Sequence, residues 1–520
     1  MTLHLQHRAC LIAFRMLVCC TDIITMMYGT NNHEQSGIYK RSTICFFACF
    51  FIYLVVHIAL FSREGPHWDE ILDWQGAATD TYLISGRPGT YVYRLIMGEG
   101  AMPWLAAIVS GLFISAAVLL QTRLLKLRAT LLCVVYAGIY QACNQWSSQL
   151  IYSFQCDSIA LGVLWCTLSV ACLIEYKRWG WAALFLCLGI STYQTLGLYW
   201  FVLWAAVVLK NKTIRKGDFV LAGSVCFLGL VAYFVVKELC LVVVSPPAET
   251  IAYVKNYQKG LSDWYNMPKY PLYLQILALA HYFKSSVYQA LGFGEICYPA
   301  VCTAVIPMTL LMVRYFREDE TLLTRLIRCL LVLFVWFAPY ILSFLMLSES
   351  GYRVCLAAPV SLASLWILLI SEFTFSGRSI ATGLILLLGL LLKSAYTNCI
   401  KARDDAFAHA QAVRLLHDIC AFSRYVAYDE KLDDYEIVIF LDSTCPVSSG
   451  ECLVSAYLIQ GVLGWYTEHY RLKNMRLATE EEVKMLEPLA AETAVWPDIR
   501  CIRTDKNKIF INLPLVLKDR

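Results

Sequence analysis

Residues 181–209 read WAALFLCLGISTYQTLGLYWFVLWAAVVL. The run is apolar from end to end except for Ser191-Thr192-Tyr193-Gln194 at its centre. It reads either as one long tilted helix or as two short helices meeting at that polar break. Two helices cross a membrane twice and one crosses once, so the choice fixes the direction of everything downstream.

The rest of the chain makes the membrane reading necessary. Of 520 residues, 59% are hydrophobic and only 16% are charged, against about 45–50% and 25% in ordinary soluble domains. Mean hydropathy is +0.57. This composition excludes a disordered chain, a fibrous repeat and an ordinary cytosolic enzyme. The net charge is only +4, and the basic runs are short and scattered between apolar blocks, which argues against a nucleic-acid partner. A bilayer core of about 30 Å takes roughly 20 apolar residues per helix, fewer beside other helices. About eleven spans are expected on that basis: Thr43–Phe61, Pro103–Leu120, Ala129–Cys143, Ile159–Ile174, Trp181–Ile190, Leu196–Leu209, Phe219–Val236, Tyr298–Val313, Cys329–Leu347, Val354–Ile370 and Ile380–Leu392.

Loop charge selects two crossings for 181–209. Lys and Arg collect in short cytoplasmic loops. One set of loops carries Arg123, Lys126 and Arg128; Lys177 and Arg178; Lys210, Lys212, Arg215 and Lys216; Arg314, Arg317, Arg325 and Arg328; and Arg378. The alternate short loops have none over Asn144–Cys156 and only Arg353 over Ser348–Arg353. The sets alternate only if the segment crosses twice, which puts the N-terminus inside and the C-terminal segment outside.

Residues 1–42 read as a cytoplasmic tail. Cys10–Met27 is partly apolar but broken by Arg15 and Asp22, and lacks the clean run of a signal peptide. The Met26-Met27 pair fits a start downstream of residue 1. Residues 43–392 form the membrane domain, with long outside loops at 62–102 and 237–297. Residues 393–520 read as a small α/β domain outside the membrane. There, Ala408, Ala412, Leu415, Ile419, Phe422 and Val426 recur at helical spacing. Tyr435–Leu441 reads as a buried strand, and Thr479–Ala490 opens with a capped, acid-rich helical turn. Asp505-Lys506-Asn507-Lys508 marks a hairpin. Cys445 and Cys452 lie in that domain, and the sequence leaves their pairing open. Most of the 22 cysteines sit in apolar runs without metal-ligand spacing. No metal and no cofactor are expected.

Polar residues at the outer face carry the chemistry. Asp69-Glu70, flanked by Trp68 and Trp74 just beyond the first span, lie where a lipid headgroup sits. A carboxylate in that half-dry zone is raised towards a general base. The same residues also fit a solvated loop with interfacial tryptophans. Ser85-Gly86-Arg87-Pro88 makes a turn that either offers a guanidinium fork to phosphate or carboxylate or simply leads into an interfacial helix. Arg353, a lone cation in a short outside loop, suits a lipid phosphate or pairs with Glu349. Asp157 lies at the outer start of the fourth span, near Trp146 and Tyr152, aromatics that either stack on sugar rings or form an interface belt. Gln194, beside Tyr193 at the polar break, either lines a cavity or pairs two helices.

The order and spacing of these features resemble the bacterial Gtr-type, serotype-converting O-antigen glucosyltransferases. The resemblance rests on Asp69-Glu70, a spacer with Gly76, Gly86-Arg87-Pro88, Tyr193-Gln194, the Arg353 loop, and Val495-Trp496-Pro497 leading to Ile502 and the hairpin at Lys508–Leu513. It runs from about Tyr39 to the end. The family usually shows two aspartates where this chain has Asp69-Glu70. The resemblance implies a polytopic GT-C-like transferase of a bacterial inner membrane, multi-pass, without metal dependence. It implies undecaprenyl-phosphate-glucose as donor and a lipid-linked O-antigen repeat as acceptor, with transfer and serotype conversion on the periplasmic face. A lipid-sugar flippase and synthase are the expected protein partners. In that scheme Asp69 or Glu70 is the base, Arg353 and Arg87 hold the donor phosphate, and Trp68, Asp157, Tyr193 and Gln194 line the acceptor pocket.

Two other classes compete. A transporter or flippase calls for charges near the midplane and an inverted repeat, and neither is visible. An O-antigen polymerase or acyltransferase calls for arginines in large outside loops or a motif-embedded catalytic His. Topology separates these readings from a single-crossing model. A reporter active only in the periplasm is expected to be active when fused after Lys393 and silent after Lys216. The reverse pattern means that 181–209 crosses once.

Overall fold

A computed structural model describes residues 32–61, 78–97, 103–143, 145–150, 155–211, 216–248, 251–252, 271–293, 299–346, 354–372, 377–426, 436–442, 475–477, 502–505 and 508–514. They fall into two compact units. The first takes in residues 79–399 with the N-terminal helix, and the second the residues from 400 on.

The first unit is helical, the structure that satisfies every backbone group within its own segment when no water is at hand. In chain order its helices are α1 (Asn32–Phe61), α2 (Ala78–Ile84), α3 (Pro88–Met97), α4 (Pro103–Leu124), α5 (Thr130–Ala142), α6 (Gln145–Leu150), α7 (Cys156–Ile174), α8 (Trp179–Thr192) and α9 (Leu196–Asn211). There follow α10 (Lys216–Val244), α11 (Leu272–Ala290), α12 (Pro299–Cys302), α13 (Val305–Arg317), α14 (Leu322–Phe337), α15 (Leu342–Met346), α16 (Ala358–Glu372) and α17 (Gly377–Val426).

Among the described residues seven segments are long and apolar enough to cross a bilayer: Ser42–Leu60, Trp104–Leu124, Cys156–Ile174, Lys216–Val244, Pro299–Arg317, Leu322–Tyr340 and Gly377–Ile400. By length and composition alone, seven of the described segments qualify. The other four expected spans fall on α5, α8, α9 and α16, which are shorter than the roughly 20 residues a lone span requires. Packing accounts for the short helices. Eleven of the 16 residues of α9 and eleven of the 15 of α16 are buried, so these helices meet other helices more than lipid. The outer helices show the opposite pattern: only 6% of the apolar window of α17 is buried, against 89% for α7.

The polar break in 181–209 is a hairpin. Ser169 on α7 donates to the Ala182 carbonyl of α8 (2.6 Å) and accepts from Trp200 Nε1 of α9 (2.8 Å). About two turns earlier on α7, a Cβ built on Gly162 would overlap Thr192 at the end of α8 and Leu196 at the start of α9. Both helices therefore lie along the same stretch of α7 and run in opposite directions, with the reversal at Tyr193-Gln194-Thr195.

The reversal sorts charge to one end. Arg123 at the end of α4 pairs with Glu175 (3.0 Å) and donates to Tyr176 (3.0 Å) just beyond α7. Arg178 and Lys210 lie at that same end of the hairpin. Lys126 and Lys177 hold left-handed backbone there, at φ 54°. In each case the following N–H closes the helix end, Leu127 onto Thr122 and Arg178 onto Cys172 (both 2.9 Å). A second basic group is tied off similarly. Arg314 bonds Glu372 at 2.5 Å, and the buried Arg328 bonds Glu318 and Glu320, the latter at 2.8 Å.

The first helix, α1, begins at Asn32, and α17 runs unbroken to Val426. No glycine or proline lies between Gly389 and Val426, so polarity changes along one continuous helix. In the second unit, β1 (Glu436–Asp442), β2 (Met475–Leu477), β3 (Ile502–Asp505) and β4 (Lys508–Pro514) form a sheet of order β2-β1-β4-β3. β1 is parallel to β2 and β4, and β3–β4 is an antiparallel hairpin. The segment Thr479–Ala490 and the pair Cys445 and Cys452 lie outside the described residues.

The close approach of α7 to the hairpin depends on Gly162 and Gly189, whose space is occupied by Thr192 and Cys166. Gly162→Ala is expected to cost about 1–3 kcal/mol by overpacking, read as a lower midpoint of thermal unfolding in detergent. An unchanged midpoint would show that the hairpin does not depend on this contact.

Candidate active site

At the end of α7 opposite the basic residues, Ser85-Gly86-Arg87-Pro88 forms a corner between two short helices. Gly86, at φ +79°, takes the left-handed position that ends α2. Its N–H bonds Leu83 O (3.0 Å) and the Arg87 N–H bonds Tyr82 O (2.8 Å), the paired closure of a helix C-terminus. Pro88 then starts α3 at the position where a missing N–H costs nothing. The three residues thus stop one helix and start another, leaving Arg87 at the corner.

Three other elements converge on that corner. From the hairpin turn, Gln194 Nε2 donates to Ser85 O (2.7 Å) and Gly86 O (2.8 Å). From α10, the Tyr233 hydroxyl donates to Gly86 O (2.8 Å). A Cβ at position 86 would lie 2.7 Å from both Gln194 Nε2 and the Tyr233 oxygen, so glycine is required for space as well as for backbone. Arg87 is half-buried. It stacks over the Tyr193 ring, 4.4 Å from its centroid, and its Nη1 donates to Gln155 Oε1 (2.7 Å). Its buried Nε has no partner among the described residues. A guanidinium held on one face and one nitrogen, with donors to spare, is an anion receptor in form.

One turn further, α3 is bolted to α7 and α8. Thr90 shares a hydrogen bond with Ser158 (3.0 Å) and donates to Thr192 O (2.9 Å). Arg94 forms an ion pair with Asp157, both side chains 5% exposed. Tyr93 donates to the same carboxylate (3.1 Å), as does the Ser158 N–H (2.9 Å). Burial works against the Arg94 charge, but the Asp157 carboxylate together with Tyr93, Tyr82 and Cys156 outweighs it and holds the guanidinium pKa above its ordinary value. Burial also pushes the Tyr93 phenol well up, keeping it a neutral donor. α3 is polar inwards and apolar outwards: Val92, Leu95 and Ile96 are exposed.

Of the residues expected at a site, the fold brings together Arg87, Tyr193 and Gln194. Asp157 faces Arg94 and is 3% exposed; its carboxylate oxygens are taken up by Arg94, Tyr93 and Ser158, so it ties helices together rather than lining an open pocket. Trp68, Asp69, Glu70 and Arg353 lie outside the described residues. Sequence reasoning missed Arg94, Gln155 and Tyr233. Arg94 had a signal, a charge inside the apolar run YVYRLIM; a tyrosine in the apolar α10 gave none. Among the described residues no cluster of three or more His, Cys, Asp or Glu could hold a metal.

Residues 59–370 match the family model described as glucosyl transferase GtrII, more than half of the chain. No curated protein matches the chain. The matched region contains the corner, the hairpin and the Arg94–Asp157 pair. Arg94→Ala is expected to destabilise by about 3–5 kcal/mol, because it strands a buried carboxylate. Replacing both partners with apolar residues, Arg94→Met with Asp157→Leu, should recover most of the lost thermal midpoint. A double variant no better than Arg94→Ala would mean that the pair contributes more than mutual neutralisation.

Proposed function

For a chain that belongs to the GtrII glucosyl transferase family, we propose transfer of a glucosyl residue from undecaprenyl-phosphate-glucose to a lipid-linked O-antigen repeat. The reaction takes place at the periplasmic face of a bacterial inner membrane and converts serotype. In this reading α5, α8, α9 and α16 cross as well, sheltered by longer neighbours. That gives eleven crossings, a cytoplasmic N-terminus, and a C-terminal α/β domain on the periplasmic side.

The observation that supports the reading is the Arg87 corner. It lies at the end of the helices opposite Arg123, Arg178 and Lys210, and its guanidinium Nε has no partner among the described residues. In a chain oriented by its basic residues, that end faces the periplasm at headgroup depth, where the phosphate of a lipid-linked sugar lies.

The chemistry follows from charge. An acceptor hydroxyl attacks the anomeric carbon as the bond to the lipid phosphate breaks. The new glycosidic C–O bond forms, the hydroxyl proton passes to Asp69 or Glu70, and undecaprenyl phosphate leaves with the bonding electrons. A positioned base contributes roughly 10²–10⁴ in rate. Charge gathers on the leaving phosphate, and Arg353 together with Arg87 stabilises it. One displacement inverts the anomeric centre. Trp68 and Tyr193 border the acceptor. No metal or cofactor takes part; the lipid-sugar flippase and synthase supply the donor.

The decisive comparison is the O-antigen of cells with and without this gene. Within it, Asp69→Asn should nearly abolish glucosylation of the repeats at matched membrane levels, and Glu70→Gln should cause a milder loss. Arg353→Ala should lower transfer strongly, with partial recovery in Arg353→Lys, since a point charge replaces a fork. Wild-type glucosylation in both acid variants would overturn the base assignment.

A further inference from the structure

The Arg87 corner is held by contacts that do not touch its guanidinium. Gly86 O accepts from two donors on separate elements, Gln194 Nε2 of the hairpin turn and the Tyr233 hydroxyl of α10. The Gln194 amide also reaches Ser85 O and lies 3.5 Å from the Tyr233 oxygen. A helix-closing corner already has its own N–H groups satisfied by α2, so these donors are not needed to end the helix. Their effect is to fix where the peptide before Arg87 lies relative to Tyr193, the next residue along the hairpin turn and the surface on which Arg87 stacks.

We infer that Gln194 and Tyr233 form a latch on the Gly86 carbonyl that sets the direction of the Arg87 guanidinium, making them positioning residues for anion binding. The inference rests on the phosphate role of Arg87 proposed above. The Gln194 side chain holds the loop rather than meeting a sugar, and Tyr233 joins the site through its hydroxyl alone. Tyr233 is buried while Gln194 is exposed, so the Gln194 contact does not simply fill a void. A corner free to rotate still carries its charge, but its unpaired N–H groups no longer point at one place. Binding of the donor phosphate therefore weakens, while the chemistry of a donor once bound is little changed.

The test uses the full-length protein in proteoliposomes, with undecaprenyl-phosphate-glucose as the varied substrate. Tyr233→Phe removes one hydroxyl and keeps the ring. Gln194→Glu keeps the shape and replaces the amide donor by an acceptor facing two carbonyls. Each is expected to raise the KM for the donor roughly tenfold, the loss of about one hydrogen bond, with kcat changed less than twofold and the thermal midpoint close to wild type. In an Arg87→Ala background, Tyr233→Phe should add nothing, because the group it positions is gone. Two results overturn the latch: wild-type KM in both single variants while Arg87→Ala is impaired, or the same fold-loss from Tyr233→Phe with and without Arg87, which is the additivity of a merely structural role. Wild-type KM in Arg87→Ala is a separate failure, that of the phosphate role itself. Should Tyr233→Phe reduce membrane levels, Gln194→Glu, at an exposed position, reads the same carbonyl.

Discussion

A charged pair 5% exposed between α3 and α7 sets the conditions for the polar end of this protein. Arg94 and Asp157 have little water to turn to, so each must be neutralised by the other. The constraint is geometric as much as energetic. With Tyr93 and Ser158 completing the carboxylate, α3 has one rotation and one height on α7. Its first residue, Pro88, is then fixed, and Arg87 before it sits at a corner whose place is already decided.

The same economy explains why α3 is polar inwards. Its Thr90, Tyr93 and Arg94 find partners on α7 and α8, while Val92, Leu95 and Ile96 are exposed. A soluble amphipathic helix turns the other way. Reversed polarity is expected where the surroundings are as apolar as leucine and specificity between helices comes from hydrogen bonds and close approach. The approach of α7 to the α8–α9 hairpin through Gly162 and Gly189 belongs to the same logic. So does Ser169, which serves both arms of the hairpin at once.

Charge and packing divide the two ends of the helices. Lys126 and Lys177 close helix ends, and Arg123, Arg314 and Arg328 pair with Glu175, with Glu372, and with Glu318 and Glu320. At the far end, among the described residues, Arg87 is held by Gln155 and the ring of Tyr193. An amide oxygen and a ring leave its charge uncompensated there, where a carboxylate would neutralise it.

The sequence by itself determined the membrane character, the positions of the helices and the reversal inside 181–209, because apolar runs of near-bilayer length and the side on which basic residues gather are properties of the chain alone. It also marked Arg87, Tyr193 and Gln194, since a Gly-X-Pro corner and a polar break in an apolar run are local signals. Tertiary structure decided how far the shorter helices are enclosed, because an apolar helix of 13 to 16 residues does not show in its sequence how much of it meets other helices. It decided that Asp157 is the partner of Arg94, two residues 63 positions apart in the chain, and that Gly86 O is held by Tyr233 from 147 positions away. No local pattern encodes those pairs; they exist because α3, α7, the hairpin and α10 pack side by side.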